Sequence, residues 1–167
     1  MKAELLAGRG GPTGSWPWTV RLLDAADRRA AGHWRVVTID AARALSVWLP
    51  SHAGEPCQGD RLTLVTEPGA TVADAAAAFA RIEAAYAEDN RSCWSRITRA
   101  AGEPFSPIAL CREPADPAGA AKTRPPEGTL FHLDGFHRLV GWAWAGRLVP
   151  GAAVRAFVAD TAGSRLS

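Results

Sequence analysis

The sequence predicts an α+β domain, with a regular core toward the C-terminal side and a β-rich N-terminal extension packed on it. Three observations predict this: short apolar runs rich in β-branched residues, a long amphipathic stretch opening at Thr71, and an apolar strand that turns through Asp134-Gly135 straight into helical sequence. A chain of 167 residues has the length of one domain, and 47% hydrophobic content is enough for a real core. The expected organisation is a leader over 1–15, the extension over 16–70, the core over 71–160 and a tail over 161–167.

Composition narrows the classes of function. Lys and Arg number 19 against 17 acidic residues, without the basic excess by which a nucleic-acid binder neutralises phosphates. Cys57, Cys93 and Cys111 are scattered and form no CxxC pair, which argues against a disulfide framework or a zinc site. No run reaches the roughly 20 apolar residues of a membrane span, and the first residues do not read as a signal peptide. The expectation is a cytoplasmic protein with small-molecule partners and no membrane or nucleic-acid partner.

In chain order, Trp18–Asp24 and Trp34–Ile39 read as strands joined by the polar segment Ala25–Gly32. Residues 41–49 read as a short helix stopped by Pro50, 51–60 as turns, and Arg61–Thr66 as a strand. Thr71 with Asp74 makes a short capping box, and helix formers continue to Ala101. Val72, Phe79, Ile82, Tyr86, Cys93 and Ile97 share one face of this helix. Asp89 and Asn90 interrupt the stripe, as a helix break or as an inward-facing polar site, with Glu83 near the same edge. Pro107–Arg112 reads as a strand and Glu113–Gly128 as a loop longer than most connections, flanked by Arg112 and holding Lys122 and Arg124. Thr129–Leu133 is then a strand, Gly135–Ala145 a helix and Val154–Ala159 a last strand. His132 reads as structural, and Trp142 and Trp144 cannot both face the core.

The segment Leu133-Asp-Gly-Phe-His-Arg138 carries the chemistry. Gly135 permits a sharp turn, the first N–H groups of a helix lack intrahelical acceptors, and the helix dipole is positive there. His137 and Arg138 add an imidazole and a guanidinium fork, which together describe an anion site. A turn and an N-cap alone would explain Asp134-Gly135; the His-Arg pair and the following glycines favour function.

Asp134-Gly-Phe-His-Arg-Leu139, with Gly141 and Gly146 downstream and Pro-Ile-Ala-Leu110 upstream, resembles the nucleotide-binding motif of the ParB/sulfiredoxin superfamily over roughly residues 71–159. The resemblance implies a nucleotide cofactor, ATP or ADP with Mg²⁺, cradled by Gly135, Phe136, His137 and Arg138. It also implies catalytic roles for Asp134 and His137. Phe136 stands where sulfiredoxins have their reactive cysteine, which excludes sulfinic-acid reduction. The residues before the motif do not read as a helix-turn-helix, against a ParB-like role. Small free-serine kinases are then the nearest relatives in spirit. The expected function is an ATP- or ADP-dependent phosphotransferase acting on a small hydroxyl-bearing metabolite, with Asp89 offered as base by the stripe alone. The alternatives are a non-catalytic nucleotide sensor or partner-binding module, and a secondary-metabolism enzyme that uses the anion cleft without a nucleotide.

Overall fold

Apolar spacing decides the first element. Leu22, Leu23, Ala26 and Ala30 are all buried and recur at helical intervals. In the computed structural model, which describes residues 17–50, 62, 64–65, 69–114 and 125–160, they line the inner face of helix α1, Pro17–Arg29, and the turn after it. The strand expected over Trp18–Asp24 is therefore corrected to helix. β-branched Thr19 and Val20 suggest a strand locally, but a stripe that continues to Ala30 gives the helix a face to bury. The described part of the N-terminal extension is accordingly not β-rich: residues 17–50 hold two helices and one strand, β1 (Trp34–Asp40).

Asp40 ends β1 and caps the next helix, its side chain accepting from the Arg43 N–H at 2.8 Å. That helix, α2, covers only Ala41–Leu45 of the expected 41–49. The expected strand Arg61–Thr66, the leader, the tail, Cys57, Lys122 and Arg124 lie wholly or mostly outside the described residues.

Thr71 and Asp74 form the expected capping box, with Thr71 N–H to Asp74 Oδ2 at 2.9 Å and Asp74 N–H to Thr71 Oγ1 at 3.2 Å. Helix α3 runs Val72–Asp89 and α4 runs Arg91–Gly102, so the break expected at Asp89-Asn90 is present. Asn90 ends the first helix and caps the second.

The remaining elements are β2 (Ile108–Cys111), β3 (Phe131–Asp134), α5 (Phe136–Trp144) and β4 (Ala153–Ala159). The strands form one mixed sheet in the order β1-β4-β2-β3. β1 and β4 run antiparallel with Arg35 opposite Val158, β2 and β4 run parallel with Leu110 opposite Val158, and β2 and β3 run antiparallel. One face carries Ile39, Ile108, Leu110, Val154, Ala156 and Val158 against α3, α4 and α5, and the other carries Ala109, Cys111, Leu133, Phe157 and Ala159 against α1. The sheet is thus covered on both sides. Gly141 lets α5 approach α4, since a Cβ there would stand 2.5 Å from the Ile97 carbonyl. Trp142 is fully buried against Phe105, while Trp144 is half-buried and packs edge-on to Phe79 at 5.2 Å. Among the described residues no helix is long and apolar enough to cross a membrane.

Candidate functional site

Strand β2 has a candidate site at each end. At its start, β3 runs through Asp134 into α5 by way of Gly135, whose φ is +107°. That angle lies in the left-handed region, and a Cβ would stand 2.6 Å from Ile108 Cγ2, so the turn needs glycine for both reasons. Asp134 Oδ2 accepts from Arg138 Nη2 at 2.8 Å. Arg138 Nη1 donates to Ser106 Oγ at 2.9 Å and to the Pro107 carbonyl at 2.5 Å. The guanidinium is a buckle: it fastens the first turn of α5 to the end of β3 and to the segment entering β2. Phe136 is buried between the His132 and His137 rings, edge-on to both. His137 Nε2 lies 3.4 Å from Cys93 Sγ on α4.

Asp134, Gly135, His137 and Arg138 do come together, in the strand-turn-helix context the motif implies. Asp134, Gly135 and Phe136 are nevertheless buried, and Arg138 holds protein atoms where the resemblance would have it hold phosphate. As arranged, the Arg138 fork is taken up by Asp134, Ser106 and the Pro107 carbonyl and does not face a phosphate chain. Asp89 is not part of this cluster's packing; its side chain is exposed at the end of α3. Its neighbour Asn90 turns inward instead. Asn90 donates to the Leu62 carbonyl at 3.0 Å and to Tyr86 Oη at 3.1 Å, and accepts from the Cys93 N–H at 3.2 Å. The polar gap in the apolar stripe is a cap between two helices. Among the described residues no group of three or more His, Cys, Asp or Glu could hold a metal ion.

The far end of β2 is different. Cys111 faces α1, so Arg112, one residue on, points to the opposite face, and Asp160 after Ala159 does the same. Arg35 joins them because it stands opposite Val158. These side chains border a pocket of about 270 Å³ along β1, with Arg43 and Asp40 at its other side and Val37, Ile39, Leu130 and Val158 as apolar wall. Buried Asp160 pairs with Arg35 Nε at 3.2 Å and with Arg112 Nε at 3.3 Å. Arg43 Nη2 donates to the Gly128 carbonyl at 2.9 Å. The Arg112 contact is a close approach without hydrogen-bond alignment: its buried Nε has no hydrogen-bond partner among the described residues. Four residue steps of about 3.3 Å each put this corner roughly 13 Å from Ile108 and the Gly135 turn.

Residues 19–167 match a family model. The chain belongs to DUF6309, a family of unknown function. Neither a curated protein nor a solved structure matches it. The functional case for this DUF6309 member therefore rests on its own geometry. Sequence reasoning placed Arg112 beside the long loop, as solvated charge or, less favoured, as a group closing over phosphates, and gave no signal for Arg35, Arg43 or Asp160. Each is an ordinary surface-type residue until pairing of β1 with β4 and of β2 with β4 brings them to one corner.

Proposed function

We propose that the chain binds a small anionic metabolite in the arginine-lined pocket where β2 and β4 end. Arg112 carries the reading. It is mostly buried, it approaches Asp160 side-on, and no hydrogen bond among the described residues uses its guanidinium. A guanidinium so placed offers its fork to a carboxylate or phosphate at little further ordering cost. Arg35 and Arg43 border the same space, and the carboxyl ends of parallel strands are where open α/β sheets place ligands.

The test is thermal unfolding with a panel of anions, inorganic phosphate, ATP, ADP, CTP, GTP and small carboxylates, on wild type and Arg112→Ala. A bound anion at a hundredfold excess over its Kd adds about 2.7 kcal/mol to wild type. The same anion shifts Arg112→Ala far less. If no anion stabilises wild type, or if Arg112→Ala responds equally, the pocket is not an anion site.

A nucleotide-dependent phosphotransferase, using ATP or ADP with Mg²⁺ on a small hydroxyl-bearing metabolite, is the second reading. What favours it is the β3–α5 junction, where Asp134, Gly135 and His137 stand at the start of a helix. It requires Arg138 to exchange Asp134, Ser106 and the Pro107 carbonyl for phosphate. Magnesium-dependent ATP turnover by the purified chain would support it, and its absence with every amino acid and sugar alcohol tested would remove it.

A further inference from the structure

We infer that the pocket selects a small monocarboxylate with an apolar body, an inference that rests on the anion-binding reading above. Size comes first. A volume of about 270 Å³ lies just under the roughly 300–1,000 Å³ of sites for drug-sized ligands. That is room for a small acid rather than for a ligand of drug size.

Charge comes second. Arg35, Arg43 and Arg112 face Asp40 and Asp160 around the space, three guanidiniums against two carboxylates. Among the described residues, one added negative charge brings the lining to neutrality. A dianion or polyphosphate would set surplus negative charge beside Asp160, which is buried and cannot be screened well by solvent. Asp160 is also already held by Arg35 and Arg112 through their Nε atoms, so the ligand is left the outer edges of both guanidiniums.

The wall comes third. Val37, Ile39, Leu130 and Val158 offer branched aliphatic surface in continuity with the core. Ile39, Leu130 and Val158 are already buried, so Val37 is the main open part of this wall. A formate- or phosphate-like ion would leave it facing water, whereas a short hydrocarbon chain would cover it. Each buried methylene is worth about fourfold in affinity. The carboxylate then sits against Arg112 and the hydrocarbon lies along β1.

Calorimetric titration of the full chain tests this with isovalerate, hexanoate and benzoate against acetate, isovaleramide, inorganic phosphate and AMP. The three larger acids bind at least tenfold more tightly than acetate, and isovaleramide at least tenfold more weakly than isovalerate. Arg112→Ala loses at least tenfold for every acid, and Arg112→Lys recovers part of it. Val37→Phe, which fills the space from the edge strand, abolishes the advantage of hexanoate over acetate while the fold, followed by circular dichroism, is kept. If phosphate or AMP binds in an Arg112-dependent manner and the acids do not, the carboxylate assignment is overturned while the anion-binding reading stands. If none of these anions binds, or binding survives Arg112→Ala unchanged, both are overturned.

Discussion

Gly135 and Arg112 stand at the two ends of a four-residue strand, and charge is arranged differently around each. At the Gly135 end, Arg138 is fully employed, giving its fork to Asp134, Ser106 and the Pro107 carbonyl. At the Arg112 end, buried Asp160 is approached from two sides by Nε atoms, and Arg112 Nε has no hydrogen bond among the described residues. The first arrangement spends an arginine on holding a turn together. The second holds an arginine in position and leaves its donors for something else. A motif with the residues of an anion site can thus be structural, while the pocket proposed for an anion is assembled from residues far apart in sequence.

The largest expected effect separates the two arginines by stability. Arg138→Ala leaves buried Asp134 without that partner and unfastens α5, a loss of about 3 kcal/mol. For a chain of this size that is a fall in Tm of roughly 6–12 °C. Arg112→Ala removes a misaligned contact and a buried donor without a hydrogen bond among the described residues, and Asp160 keeps Arg35, so its stability shifts by less than about 1 kcal/mol in either direction. Scanning calorimetry of the two variants checks this. Equal losses would erase the distinction between a buckle and a binding group.

Two glycines sharpen the same contrast. Gly135→Ala meets both a left-handed backbone and Ile108 Cγ2 at 2.6 Å, and costs roughly 2–4 kcal/mol. Gly128, beside the pocket, also has a positive φ, +76°, but its Cβ would meet only Arg43 Nη2 at 3.6 Å, an ordinary contact. Gly128→Ala therefore costs about 1–2 kcal/mol, from the backbone alone. Urea unfolding of both gives the difference, and a Gly128 loss as large as that at Gly135 would show that the pocket rim is packed as tightly as the turn.

Behind the Gly135 turn, Asn90 and Asp89 make a closer pair. Asn90→Ala gives up a helix cap and two buried donations, about 2 kcal/mol in all, while exposed Asp89→Ala stays within about 0.5 kcal/mol. Chemical denaturation ranks them. Should Asp89→Asn abolish ATP turnover in a chain that has it, the second functional reading gains its base.

What the sequence made legible follows from range. Thr71 and Asp74, the break at Asn90 and the Asp134-Gly135 turn are decided within four residues, and each is present where its local chemistry predicted. Helix α1 is not decided so locally: Thr19 and Val20 speak for a strand, while the buried stripe becomes visible only with Ala26 and Ala30 included. β1 pairs with β4, at the other end of the chain, rather than with a neighbour in sequence. No local pattern encodes that partner. The pocket depends on this pairing as well as on that of β2 with β4, since it is what brings Arg35 to Asp160. Arg138 was legible as a guanidinium at a helix start, but its partners Ser106 and Pro107 lie on a segment that local spacing does not connect to it.

The smallest expected effect concerns a feature tied to the pocket end alone. Thr71 bridges Trp48, whose N–H donates at 2.9 Å to the carbonyl of Leu130 in the pocket wall. The Thr71 backbone N–H, and then its hydroxyl, hold the Asp74 carboxyl below its ordinary value near 3.8, and partial burial offsets this only in part. A carboxyl whose folded value is depressed adds stability that is fully present above the unfolded value and is lost as pH falls through the folded one. The contribution of the box is therefore complete at neutral pH and fades below about pH 4. Asp74→Asn lowers stability by up to about 1 kcal/mol at pH 7, a cap's worth reduced by solvent exposure, and the gap from wild type closes in acid. Urea titrations at pH 7 and pH 3 measure that closure. Anion affinity at pH 7 changes less than twofold in Asp74→Asn, because fraying one helical turn leaves the Trp48–Leu130 pairing intact. A tenfold change would mean that the wall of the pocket is held by the start of α3, and that the Arg112 end is less independent of its surroundings than the Gly135 end.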